Sequence, residues 1–143
     1  MRYLGIDYGT KRIGLALSDD AGLIAFAHKI LPSKRDIYDQ LARACVENKI
    51  KTIVVGAPST DTRSDASFIK ELGQFVSNLR MKTKLPVEEV NESFTSVEAV
   101  RPLNQKKILH AKQVKKEHIG NIDARAAAII LQRYLDSRKT RNK

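Results

Sequence analysis

The chain has 143 residues, 42% of them hydrophobic and 29% charged, and its 26 Lys and Arg against 16 Asp and Glu leave a net charge of +10. That length and balance describe one globular domain and exclude a disordered chain. No run approaches the roughly 20 apolar residues of a membrane helix. The first apolar stretch is broken too soon to serve as a secretory signal, and the lone Cys45, a small core residue on a helical stretch, suits a reducing cytoplasm.

The chain opens on MRYLGIDYGTKRIGLALSDD. Tyr3, Leu4 and Ile6 make an apolar strand over Arg2–Asp7, which delivers Asp7 into the turn Tyr8-Gly9-Thr10-Lys11. Ile13–Ser18 returns as a second strand, and Ile24–Leu31 gives a third that ends before Pro32. Ser33 precedes a helical pattern with Ile37, Leu41, Ala44 and Cys45 on one face and Asn48 near its end. Lys51–Ala57 (KTIVVGA) is a β-branched run suited to a strand of a parallel sheet buried on both faces. A polar stretch from Ala57 to Ser64 follows, and then Phe68, Leu72, Phe75, Val76 and Leu79 recur at helical spacing. Val87–Asn91 is the last strand, and Ser96 to Val100 starts a helix that Pro102 ends or kinks. Leu103–Gly120 is a lysine-rich loop or loosely held helix. Asn121–Ser137 is the clearest helix, with Ala126, Ala127, Ile130, Leu131 and Tyr134 on one face. An antiparallel meander followed by crossover units predicts an α/β fold: a mixed five-stranded sheet with helices on both faces, the ribonuclease H-like arrangement. It is expected as one domain over residues 1–138 with a basic tail at 139–143.

Asp7, Glu92 and Asp123 stand out among the acids. A carboxylate at the end of a central strand is costly to bury unless a cation or donor meets it, so Asp7 points to chemistry; hairpin capping is the plain alternative. Glu92 lies just past the last strand. Asp123 opens the final helix in register with Ala126, Ala127, Ile130 and Tyr134, on the side facing the sheet. The plain alternatives are a strand-end acid for Glu92 and, for Asp123, a dipole preference of about 0.3–1 kcal/mol beside an Asn121 cap. Converging at one sheet edge, the three would repel and raise one another's pKa values. Bound Mg²⁺ or Mn²⁺ relieves that conflict, and two such ions can serve phosphodiester hydrolysis.

The cations fall into two clusters. One is Lys106, Lys107, Lys112, Lys115 and Lys116, interleaved with His110 and His118; the other is Arg133, Arg138, Lys139, Arg141 and Lys143. Flanking one helix, they favour nucleic acid over a plain solvated surface. With only 6% aromatics, binding is expected to be electrostatic and salt-sensitive.

The segments GIDYGTKRIGLALSD, KTIVVGAP, NESFTSVEA and IDARAAAIILQRYLD resemble, in content, order and spacing, the YqgF family. These are Holliday junction resolvase-like proteins regarded as nucleases that process the precursor of small-subunit (16S) ribosomal RNA. The resemblance covers nearly the whole chain. Gly5, Gly9, Gly14, Thr10 and Lys11 match the first motif, and Thr95, Glu98 and Ala99 the third. It implies a ribonuclease H-like fold, a cytoplasmic location, dependence on two Mg²⁺ or Mn²⁺ ions, and a catalytic metal-binding trio at Asp7, Glu92 and Asp123. Lys106, Lys107, Lys112, Lys115, Lys116 and Arg125 would hold the nucleic-acid backbone, with Lys11 at a phosphate near the metals; Arg125 has a solvent-facing helix position as its plain alternative. Two departures stand out. Asn91-Glu92-Ser93 replaces the family's Asp-Glu-Arg, and no Asp-Gly turn follows Pro58.

The expected activity is 5′-end maturation of precursor 16S ribosomal RNA, with the ribosome a candidate partner and no membrane involved. The alternatives are a four-way DNA junction, which would require a homodimer, or an RNA- or transcription-associated binding protein that does not cut. The Asp-x-Gly-Thr turn also resembles the phosphate loop of actin-like and sugar-kinase folds, but those need two such domains.

Overall fold

The computed structural model describes residues 1–56, 66–90 and 122–141. In chain order these form β1 (Arg2–Asp7), β2 (Arg12–Ser18), β3 (Ala25–Pro32), α1 (Ile37–Glu47), β4 (Ile50–Gly56), α2 (Ala66–Thr83), β5 (Val87–Glu89) and α3 (Ile122–Arg141). The five strands make one sheet in the order β3-β2-β1-β4-β5. β2 runs antiparallel to both β1 and β3, and β4 runs parallel to β1 and β5. The first strand in sequence is therefore central, and β1, β4 and β5 all end at the same edge.

Strand alternation divides the core into two layers. Leu4, Ile6, Ile13, Leu15, Ile53 and Val55 face α1 and α2, meeting Leu41, Cys45, Phe75, Val76 and Leu79. Tyr3, Ala16, Ala25 and Val54 face α3, meeting Ala127, Ala128, Ile130, Leu131, Tyr134 and Leu135. Covering both faces explains why β1 and β4 read as continuous apolar runs. Each large aliphatic side chain so buried stabilises the fold by about 1.5–3 kcal/mol relative to exposure.

α3 approaches the sheet closely where Gly5 lies beneath it. A Cβ on Gly5 would lie 2.7 Å from the Leu131 Cβ and 3.1 Å from the Ala127 carbonyl oxygen. A polar clamp fixes the helix laterally: buried Gln132 accepts the Ala25 N–H at 2.9 Å and donates to the Leu23 carbonyl at 3.0 Å. Arg138 stacks on the Tyr3 ring at 5.5 Å, and the Tyr134 hydroxyl donates to Glu88.

The expected meander and crossovers are present with shifted bounds: β2 starts at Arg12, β3 at Ala25, and β4 runs from Ile50 to Gly56. Pro32 belongs to β3, pairing with Arg12, because β3 is an edge strand that tolerates a missing N–H. α1 starts at Ile37, after a turn in which Lys34 N–H donates to the Pro32 carbonyl and Ile37 N–H to the Lys34 carbonyl, each at 3.0 Å. β5 is shorter than Val87–Asn91, ending at Glu89. α3 runs on to Arg141, taking in the start of the basic tail. The readings made for Ser96–Val100 and Leu103–Gly120 lie outside the described residues. No helix among the described residues is long and apolar enough to cross a membrane.

Candidate active site

Asp7 is the last residue of the central strand, in register with Gly14 of β2 and Gly56 of β4. Glycine on both sides means that no side chain stands beside the carboxylate across the strands. Pairing continues one residue beyond, where Tyr8 N–H donates to the Gly56 carbonyl at 2.8 Å, so the backbone under Asp7 is held. The residue is only 9% exposed, and its Oδ1 is closed off from solvent.

The face follows from alternation. Tyr3 packs in the α3 layer and Gly5 lies against Leu131, so Asp7, at the next position of the same parity, belongs to the α3 side. The direction of α3 follows from the same contacts: Tyr134 lies over Tyr3, with ring centroids 5.8 Å apart, while Ala127 and Leu131 lie over Gly5. α3 therefore runs antiparallel to β1. From Ala127 back to position 123 the helix rises about 6 Å, and from Gly5 to Asp7 the strand rises about 6.6 Å. The first turn of α3 is thus level with Asp7 and brings the positive end of the helix dipole to this edge.

Of the expected trio, Asp7 is seen in full. Asp123 is in the first turn of α3, and its side chain lies outside the described set. Glu92 lies outside the described residues; Val90, two residues before it, donates its N–H to the Val55 carbonyl at 2.8 Å, which keeps the chain beside β4 as it leaves β5. Among the described residues no three His, Cys, Asp or Glu side chains gather. Lys11 is exposed in the β1–β2 turn and Arg125 is half-buried near the start of α3. Lys106, Lys107, Lys112, Lys115 and Lys116 lie outside the described residues.

The neighbouring tyrosine is not aimed at this edge. Tyr8 packs on the opposite face against Phe68 and Phe75, with ring centroids at 5.8 and 4.7 Å. Burial, with smaller contributions from Glu71 and Tyr38, holds its hydroxyl above the ordinary tyrosine value, so it is neutral near pH 7. His28 is a β3 residue and Cys45 a buried free thiol on α1. Gly14, in the sequence a motif match alone, stands opposite Asp7 in the β1–β2 pair.

The RuvX family model, described as Holliday junction resolvase, matches residues 1–137. A relative from Oleidesulfovibrio alaskensis is 35% identical over 138 residues, covering 95% of this chain and 92% of that protein. Another from Koribacter versatilis is 37% identical over 139 residues, covering 96% and 88%. Both names carry the words "pre-16S rRNA nuclease". Thermus thermophilus RuvC in complex with a Holliday junction substrate superposes with a TM-score of 0.61 at 12% identity, over 97% of this chain and 96% of that one. The Fowlpox virus resolvase bound to Holliday junction DNA gives 0.56 at 10% identity, over 96% and 98%. At such identities the likeness shows the fold, which is ribonuclease H-like.

Proposed function

We propose, from the premise that this chain belongs to the RuvX family, that it cuts precursor small-subunit ribosomal RNA during 5′-end maturation in the cytoplasm. The chain is a nuclease, hence a hydrolase of phosphodiester bonds, and nucleic acid is its substrate. The observation that carries the site is Asp7: a buried carboxylate closing the central strand, flanked by Gly14 and Gly56 and level with the first turn of α3.

Those features fit a divalent cation. Mg²⁺ and Mn²⁺ require oxygen ligands, Asp7 supplies them from a fixed backbone, and its strand partners Gly14 and Gly56 set no side chain beside it. Asp7, Glu92 and Asp123 would hold two such ions, with residues 1–138 acting as one nuclease domain and 139–143 as its basic tail. When bound, the ions supply an activated water and stabilise the departing oxygen of the phosphodiester. Asp7 would fix their position on the sheet. Lys11, at the turn after Asp7, holds a phosphate near the site. Arg125 and Lys106, Lys107, Lys112, Lys115 and Lys116 hold the backbone further along, and the ribosome is the setting in which that precursor is met. Asn91 and Ser93 lower the charge available beside Glu92 relative to the family's Asp-Glu-Arg.

A second reading, a four-way DNA junction as substrate, is favoured by the description of the family model and requires a homodimer. Cleavage assays on a 5′-extended 16S precursor fragment and on a four-way DNA junction, in parallel with Mn²⁺, separate the two. The RNA is expected to be cut and the junction left intact. Symmetric cutting of the junction by a dimer, with the RNA untouched, would overturn the choice of RNA.

A further inference from the structure

Two turns that border the Asp7 edge bring together four cations that the sequence separates. Arg12, the first residue of β2, pairs with Pro32, the last of β3. One residue earlier, the Lys11 carbonyl accepts the Ser33 N–H at 2.9 Å. The β1–β2 turn is thereby stitched to the β3–α1 turn.

Both turns are tightly made. A Cβ on Gly9 would lie 2.4 Å from the Arg12 carbonyl oxygen, so the first turn closes only with glycine at that position. The second is held by the Lys34-to-Pro32 and Ile37-to-Lys34 backbone bonds. From this shared base Lys11, Arg12, Lys34 and Arg35 are all exposed. The one carboxylate in the second turn, Asp36, accepts a hydrogen bond from Gln40 Nε2 at 2.8 Å along α1.

Register sets the distance to the site. Asp7 pairs with Gly14, two residues from Arg12, and β3 lies two strand spacings from β1, about 10 Å. The cations begin beside the candidate site and continue outward along the same edge.

We propose that Lys11, Arg12, Lys34 and Arg35 form a brace that binds the phosphodiester backbone of the substrate as it leaves the Asp7 site on the β3 side. This rests on the nuclease reading above and draws on residues other than those of the Lys106–Lys116 cluster. A polyphosphate chain is the ligand that fits: guanidinium forks take phosphate oxygens in pairs and ammonium groups act as point charges. Neither reads a base, so the brace sets grip and direction and leaves sequence choice to other contacts.

The test is fluorescence anisotropy of a labelled 5′-extended 16S precursor fragment, in EDTA so that it stays whole, titrated across KCl concentrations. Wild type is compared with Arg12→Ala and with the double variant Lys34→Ala, Arg35→Ala. The slope of log affinity against log salt is expected to flatten by about 0.7 for each cation removed, about 1.4 for the double variant. The charge-keeping double variant Lys34→Arg, Arg35→Lys is expected to restore it, which separates charge from folding. An unchanged slope and affinity in the alanine variants would overturn the brace and leave the nuclease reading standing. Wild type that binds neither this RNA nor a four-way DNA junction would overturn both.

Discussion

At the scale of single residues, environment decides the state of each titratable group. Burial raises the Cys45 thiol from 9.0 to about 11, which cuts its thiolate fraction about a hundredfold. Native protein at pH 8 is expected to react with a thiol-specific disulfide reagent at least a hundredfold more slowly than protein in guanidinium; equal rates would contradict the packing of α1. Asp19 shifts the other way. Burial pushes its carboxyl up, but backbone N–H bonds, led by those of Leu23 and Ile24, outweigh burial and hold it below 3.8. Its folded value is lower than its unfolded one, so the stabilisation is complete above pH 3.8 and is lost as pH falls through the folded value. Asp19→Ala should destabilise the protein by about 1 kcal/mol at pH 7. The gap between the two melting temperatures should close as pH drops below 3.8; a gap independent of pH would show that the carboxylate is not the cause.

At the scale of elements, the packing of α3 on the sheet is the contact most open to a single change. Gln132→Ala removes the acceptor of the buried Ala25 N–H and the donor to the Leu23 carbonyl. Stranding such groups costs about 1–3 kcal/mol, to be read from urea unfolding; a loss under about 0.5 kcal/mol would mean that water replaces the side chain. This clamp was not legible in the sequence, because a glutamine within an apolar helix arc carries no periodic signal of its partner. β1, β2, β4 and the face of α1 were legible, since alternation and apolar spacing report burial directly. Ile37, the first residue of the helical pattern, is where α1 begins, but the turn at residues 33–36, stitched to Lys11, carries no periodic signal. Asp7 was legible as a lone charge within an apolar strand. Its two glycine neighbours, and the meeting of Lys11 and Arg12 with Lys34 and Arg35, depend on which strands pair and could be read only from the sheet.

At the scale of the molecule, function follows from the order of the sheet. A chain that begins with its central strand, closes that strand on a carboxylate and lays its last helix antiparallel above it brings distant sequence segments to one edge. Parallel strands conventionally present ligands at their carboxyl ends, and here β1, β4 and β5 share that end. The net charge of +10 suits a polyanion, and at the proposed site of Asp7, Glu92 and Asp123 divalent cations would resolve the conflict between acidic residues and an anionic substrate. The most direct test is cleavage of a 5′-extended 16S precursor by wild type and Asp7→Asn, each with Mn²⁺ and with EDTA. Cutting by wild type is expected only with Mn²⁺. Asp7→Asn is expected to lose several kcal/mol of transition-state stabilisation, about a thousandfold in rate, while melting at or above the wild-type temperature. Asp7→Asn protein that cuts as fast as wild type would contradict the assignment of the site.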